Sequence, residues 1–125
     1  MPPRIPLYDT VTENRQFSDD FRAALDRVLV SGQFVLGKEL ASFESALAQY
    51  VGTAHAVGVK SGTDAIILSL RALGIGPGHE VITSPFTFFA SVEAILSVGA
   101  RPVFADIEPQ TLCLSVDACK AAMTE

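Results

Sequence analysis

Ala54-His55-Ala56-Val57-Gly58-Val59-Lys60-Ser61-Gly62-Thr63-Asp64-Ala65 changes its hydrophobic period in mid-course. Residues 54–59 form a short apolar run with β-branched members, the pattern of a buried strand. From Thr63 to Leu73 the apolar residues Ile66, Ile67, Leu70 and Leu73 fall at helical spacing, so a helix begins where the glycine turns the chain. The alternation then continues. Glu80–Thr83 reads as a strand, Phe88–Val98 as a helix and Arg101–Asp106 as a strand. Ser115 caps a further helix that opens at Val116 and carries no stop signal before the last residue. Strand, helix, strand, helix, strand, helix with short connections predicts a parallel sheet wrapped by right-handed crossovers, and hence the α/β class.

Upstream the pattern is different. Residues 1–18 contain Pro2, Pro3 and Pro6 among polar residues and read as an N-terminal arm. Asp19 and Asp20 open an amphipathic run through Phe21, Leu25, Val28 and Leu29, with acidic residues in the first turn where the helix dipole favours them. Gly32 ends it, and Ser31–Gly37 is a short loop bracketed by glycines. Leu40, Phe43, Leu47, Ala48 and Tyr50 mark a second helix, closed by Gly52. The domain reading is therefore an arm over 1–18 and one α/β portion over 19–125. The open final helix suggests a truncated domain.

Composition bounds the function. Of the 125 residues 49% are hydrophobic and 18% charged, as in globular proteins, and the mean hydropathy of +0.36 suits central parallel strands or apolar surface meant for a partner. A net charge of −5 without a basic run argues against nucleic acid. The apolar stretches are too short to span a membrane, and the start lacks the apolar core of a signal peptide. Cys113 and Cys119 have no metal-ligand spacing, so no metal is expected and both read as reduced cysteines of a cytoplasmic protein.

Two junctions carry chemistry. At Ser61-Gly62-Thr63-Asp64 a strand gives way at once to a helix. The free N–H groups and positive dipole end of a helix N-terminus suit a phosphate, and Gly62 permits close approach. An ordinary helix cap, with Ser61 or Thr63 satisfying the first turn, fits the same residues. The segment lacks both the glycine pattern of a dinucleotide fold and the lysine of a P-loop. At Thr83-Ser84-Pro85-Phe86-Thr87-Phe88-Phe89, three phenylalanines cluster at the carboxyl rim of the sheet, where open α/β folds bind ligands. Phe86 and Phe89 are expected in the core, and Phe88 on an exposed face where its ring can stack on a flat heterocycle.

Taken together, Ser61-Gly62-Thr63-Asp64-Ala65-Ile66, Gly74-Ile75-Gly76-Pro77-Gly78-His79-Glu80-Val81-Ile82, the Thr87-Phe88 doublet and Gly99-Ala100-Arg101-Pro102-Val103-Phe104-Ala105-Asp106-Ile107 resemble the DegT/StrS family of pyridoxal-phosphate (PLP)-dependent sugar aminotransferases. Ser31–Gly37 and Phe43-Glu44 resemble an upstream segment of that family. The resemblance covers essentially the whole chain and rests on four ordered motifs. The one departure, His79 where the family more often has aspartate, sits in a turn and carries no expected consequence.

The resemblance implies the N-terminal part of the large domain of a fold-type-I PLP aminotransferase. Gly62, Thr63 and Asp64 match the segment that holds the PLP phosphate, and Phe88 the aromatic that stacks on the pyridine ring. Phe34 lies in a segment near the active-site mouth and dimer interface, and is a weaker candidate for substrate contact. Asp106 matches a structural strand-end aspartate. The implied reaction moves an amino group from a donor such as glutamate onto a nucleotide-linked keto-sugar, in a homodimer with shared active sites. A PLP-dependent sugar dehydratase of the same family and a non-catalytic phosphate-binding α/β module are the alternatives. No catalytic residue is expected among these residues. The cofactor-bearing lysine is expected downstream, and Lys60, which precedes the phosphate turn, is poorly placed for that role.

Overall fold

The computed structural model describes Ile5 and residues 7–124. Its elements are α1 (Thr10–Arg15), α2 (Ser18–Ser31), α3 (Lys38–Val51), α4 (Gly62–Ala72), β1 (Glu80–Thr83), α5 (Ala90–Ser97), β2 (Arg101–Phe104) and α6 (Val116–Ala122). They fall into two compact units that divide between Gly58 and Val59.

The first unit is helical. Pro2, Pro3 and Pro6 of the expected arm lie outside the described residues. Within the rest of the arm, Asp9 caps α1 by accepting the Thr12 N–H at 3.1 Å. The Thr12 side chain, with that backbone donor, draws the Asp9 carboxyl below its usual range. Helices α2 and α3 end as their glycines predict, with Gly32 and Gly52 in the left-handed region and their N–H groups bonded back to Val28 and Ala48. The apolar stripes of both helices are largely open. Phe21, Leu25, Leu29 and Phe43 are exposed, and Ala48 alone among the described apolar side chains of this unit is buried.

Residues 54–59 do not form the expected strand. A strand exists only as part of a ladder, and among the described residues no neighbour pairs with this segment. It is held instead by α3, whose Glu44 Oε1 accepts the Gly58 N–H at 2.6 Å.

The second unit carries the α/β character. β1 and β2 pair in parallel, with Glu80 opposite Arg101 and Thr83 opposite Phe104. Helix α5 is the crossover between them, and α4 and α5 pack together beside the sheet. Ala94, Ile95, Ala100 and Ala105 form the small buried core. Glu80 is ion-paired with Arg101 and accepts the Thr124 hydroxyl at 3.0 Å. Ser115 caps α6 by accepting the Ala118 N–H. Contrary to the open-ended helix expected, α6 stops at Ala122 and Met123 is extended.

The accessible surface is 10226 Å² for 13.3 kDa, whereas two independent units of half that mass would together expose roughly 7,800 Å². Many large apolar side chains are exposed, Phe86, Phe88 and Phe89 among them, as in a segment that other surfaces cover.

Candidate functional site

The amino end of α4 is built by its cap. Ser61 is extended, and its Oγ accepts the Asp64 N–H at 3.1 Å while its carbonyl accepts the Ala65 N–H. Two donors of the first turn, the Gly62 and Thr63 N–H groups, are left without a protein acceptor among the described residues. The Thr63 hydroxyl likewise makes no hydrogen bond there. A Cβ built on Gly62 would meet nothing within 4 Å beyond its chain neighbours and its own helix backbone, so there is open space beside this residue.

The cap reading is realised at Ser61, and the Gly62 and Thr63 N–H groups are left over. Ser61 does the capping and takes the Asp64 N–H with it. Asp64 is half-buried, and its carboxylate lies 3.5 Å from the Lys60 Nζ, which offsets a negative charge that would otherwise face an incoming anion. Lys60 is itself 86% exposed and held in this surface pair. Ser61→Ala is expected to lower the stability of the intact protein by about 1 kcal/mol, seen as a lower denaturation midpoint with an unchanged slope.

The aromatic junction follows the carboxyl end of β1. Ser84 is buried, and its Oγ accepts the Phe86 N–H at 3.0 Å, turning the chain through Pro85. Thr87 Oγ1 and Ser91 Oγ are 3.1 Å apart, and the Phe88 carbonyl accepts the Ser91 N–H. These bonds fix the backbone on both sides of Phe88, whose ring is 81% exposed. Phe86 and Phe89, expected in the core, are exposed as well. Nothing within the described unit packs over them. The hydroxyls of Ser84, Thr87 and Ser91 were missed as site supports; Ser84 immediately before Pro85 was their only local signal.

Topology brings the two junctions to one end of the second unit. Helix α4 returns through the 73–79 turn into β1, so its start lies toward the end where β1 finishes. Ile66 and Leu70 of α4, Val81 and Thr83 of β1, and Ile95 of α5 line a common cleft of about 250 Å³. Gly62, Thr63, Asp64 and Phe88 all belong to this unit. Phe34 belongs to the first unit, on the Gly32–Gly37 loop, and is 68% exposed. Asp106 behaves as a strand-end residue: its Oδ1 accepts the Ile107 N–H and its carbonyl the Ser115 N–H. Among the described residues, no helix is long and apolar enough to cross a membrane.

The second unit thus carries an uncovered helix N-terminus at Gly62 and Thr63 and an exposed aromatic at Phe88. The chain belongs to the DegT/DnrJ/EryC1/StrS aminotransferase family, whose sequence model matches residues 15–125. It is 41% identical over 120 residues to a UDP-N-acetyl-3-dehydro-alpha-D-glucosamine 3-aminotransferase of Acidithiobacillus ferrooxidans, covering 96% of this chain and 32% of that protein. The crystal structure of Streptomyces venezuelae DesV in complex with a ketimine intermediate superposes with a TM-score of 0.94 at 43% identity, over 98% of this chain and 33% of that one. The Bacillus subtilis NtdA structure with bound cofactor PMP gives a TM-score of 0.85 at 35% identity, over 98% and 29%. The chain thus has the fold of part of the PLP-aminotransferase large domain, and it spans about a third of the length of the relatives it matches.

Proposed function

We propose that the intact protein is a PLP-dependent aminotransferase that moves an amino group from a donor such as glutamate to a keto-sugar carried on a nucleotide. The observation that carries this reading is the first turn of α4. Two N–H groups and the Thr63 hydroxyl are unbonded among the described residues, with open space beside Gly62, in a chain whose residues 15–125 match an aminotransferase family.

The residues present fit the cofactor. Gly62 and Thr63 would hold its phosphate through their backbone N–H groups, with the Thr63 hydroxyl as a third donor and the α4 dipole behind them. Asp64 supports this turn through its bond to Ser61, and Phe88 would cover one face of the ring. When bound, PLP supplies the electron sink that lets an amino nitrogen leave one carbon for another. The present residues would bind and orient, and none of them is proposed as the cofactor-bearing lysine.

The surplus apolar surface supports a second part of the proposal, a homodimer whose subunits share their active sites. Cys113 and Cys119 are both free, as suits a protein of the reducing cytoplasm.

The test is direct. The intact protein with PLP should absorb in the visible and lose that absorbance with glutamate, one 2-oxoglutarate appearing per site. A nucleotide-linked keto-hexose should then restore it. A colourless protein would remove the cofactor; absorbance untouched by amino donors, with loss of water from the sugar, would move it to the dehydratases. Thr63→Ala should weaken PLP binding by about 1.5 kcal/mol, the usual loss for a hydrogen bond to a charged group. Unchanged affinity in a titration would remove Thr63 from the phosphate site.

A further inference from the structure

Between Lys60 and Arg71 the sequence carries one ionisable side chain, Asp64. Along this stretch the charges at the start of α4 are therefore few. They are the positive end of the helix dipole, the Asp64 carboxylate in the first turn and the Lys60 ammonium, all within the second unit. An acidic side chain in the first turn stabilises a helix, because it lies against the positive end of the dipole. Toward an arriving anion the same carboxylate acts in the opposite sense. It draws on the field that would attract the anion and repels a second negative charge.

Ser61 leaves Asp64 no compensating use. The Ser61 Oγ holds the Asp64 N–H at 3.1 Å, so Asp64 offers a phosphate charge without a free backbone donor. Its side chain is only 29% exposed, which limits how far water screens the carboxylate. Among the described residues Lys60 is the cation paired with it, Nζ to Oδ2 at 3.5 Å. Lys60 itself is 86% exposed, and a pair with so open a partner adds little to the stability of a fold. What the lysine changes is the sign of the charge met beside the Gly62 and Thr63 donors.

We infer that Lys60 is a positioning residue that acts through Asp64: by neutralising the carboxylate of this turn, it lets the start of α4 favour phosphorylated PLP over unphosphorylated pyridoxal. This rests on the phosphate site at Gly62 and Thr63 in the proposed function.

The experiment titrates the intact protein, freed of cofactor, with PLP and with pyridoxal, which has the same ring without the phosphate. Lys60→Met should weaken PLP roughly threefold at low salt and leave pyridoxal unchanged. The loss should fade between about 0.02 and 0.5 M salt, as screening replaces the missing ammonium. Lys60→Arg keeps the charge and should keep the preference for PLP. Adding Asp64→Asn to Lys60→Met should restore PLP affinity, since the carboxylate that needed neutralising is then gone. If Lys60→Met leaves the ratio of the two dissociation constants unchanged, the role is overturned, and a variant that loses both ligands equally counts as this result. It is overturned as well if the loss persists with Asp64→Asn, because Lys60 would then act on the phosphate itself. Thr63→Ala tests the reading beneath: if it retains the full preference for PLP over pyridoxal, the phosphate is held elsewhere and the proposed site falls first.

Discussion

Gly62→Val in the intact protein is expected to leave the fold standing and to remove most of its affinity for PLP. The expectation follows from two facts about one position. An added Cβ meets no protein atom within 4 Å, and the backbone there is outside the left-handed region, so the side chain introduces no internal clash. Stability without cofactor should therefore change by less than about 0.5 kcal/mol, as for ordinary exposed substitutions. In the proposed site the added branches would instead crowd the phosphate away from the Gly62 and Thr63 N–H groups. Loss of two hydrogen bonds to a charged phosphate amounts to about 3 kcal/mol, or roughly a hundredfold in Kd. Thermal unfolding without cofactor and an absorbance titration with PLP separate the two effects. A valine variant that binds PLP normally would place the phosphate somewhere other than the start of α4.

Phe88→Ala should have the next largest effect. Its ring is 81% exposed, so truncation leaves little cavity in the protein. Covering a flat heterocycle would bury much of that ring, and burial with aromatic stacking is together worth about 2 kcal/mol, or thirtyfold in affinity. Phe88→Tyr keeps the face and should retain most of the affinity. The neighbours provide the control: Phe86 and Phe89 are also exposed, so exposure alone does not make a ring a platform. If all three alanine variants lose PLP affinity equally, Phe88 has no special place; if Phe88→Ala binds and absorbs as before, it has none at all.

Local signals were read well because local physics decides them. Gly32 and Gly52 end their helices in the left-handed region, and Ser61 and Ser115 cap theirs, each within a few residues of its own neighbours. The β1–β2 pair was legible for the same reason, being one helix apart in the chain. Residues 54–59 were not, because a strand needs a partner and no apolar run specifies one. Phe86 and Phe89 failed likewise: hydrophobicity states a preference for burial, and what arrives to cover a side chain lies elsewhere. At α4 the sequence offered Ser61 or Thr63 as the cap but not the sharing of donors, in which Ser61 claims the Asp64 N–H. The Arg27–Glu39 ion pair joins two exposed residues of different helices, a pairing that no periodicity announces.

The unpaired run at 54–59 also bears on how such a chain is made. Synthesis delivers the amino end first, and the β1–β2 ladder can form as soon as α5 has emerged, since it closes a short loop. The earlier segment meets no ladder among the described residues, and only the Gly58 N–H is held, by Glu44 of α3. An unpaired apolar run and exposed phenylalanines are surfaces to which other nascent chains can adhere during synthesis.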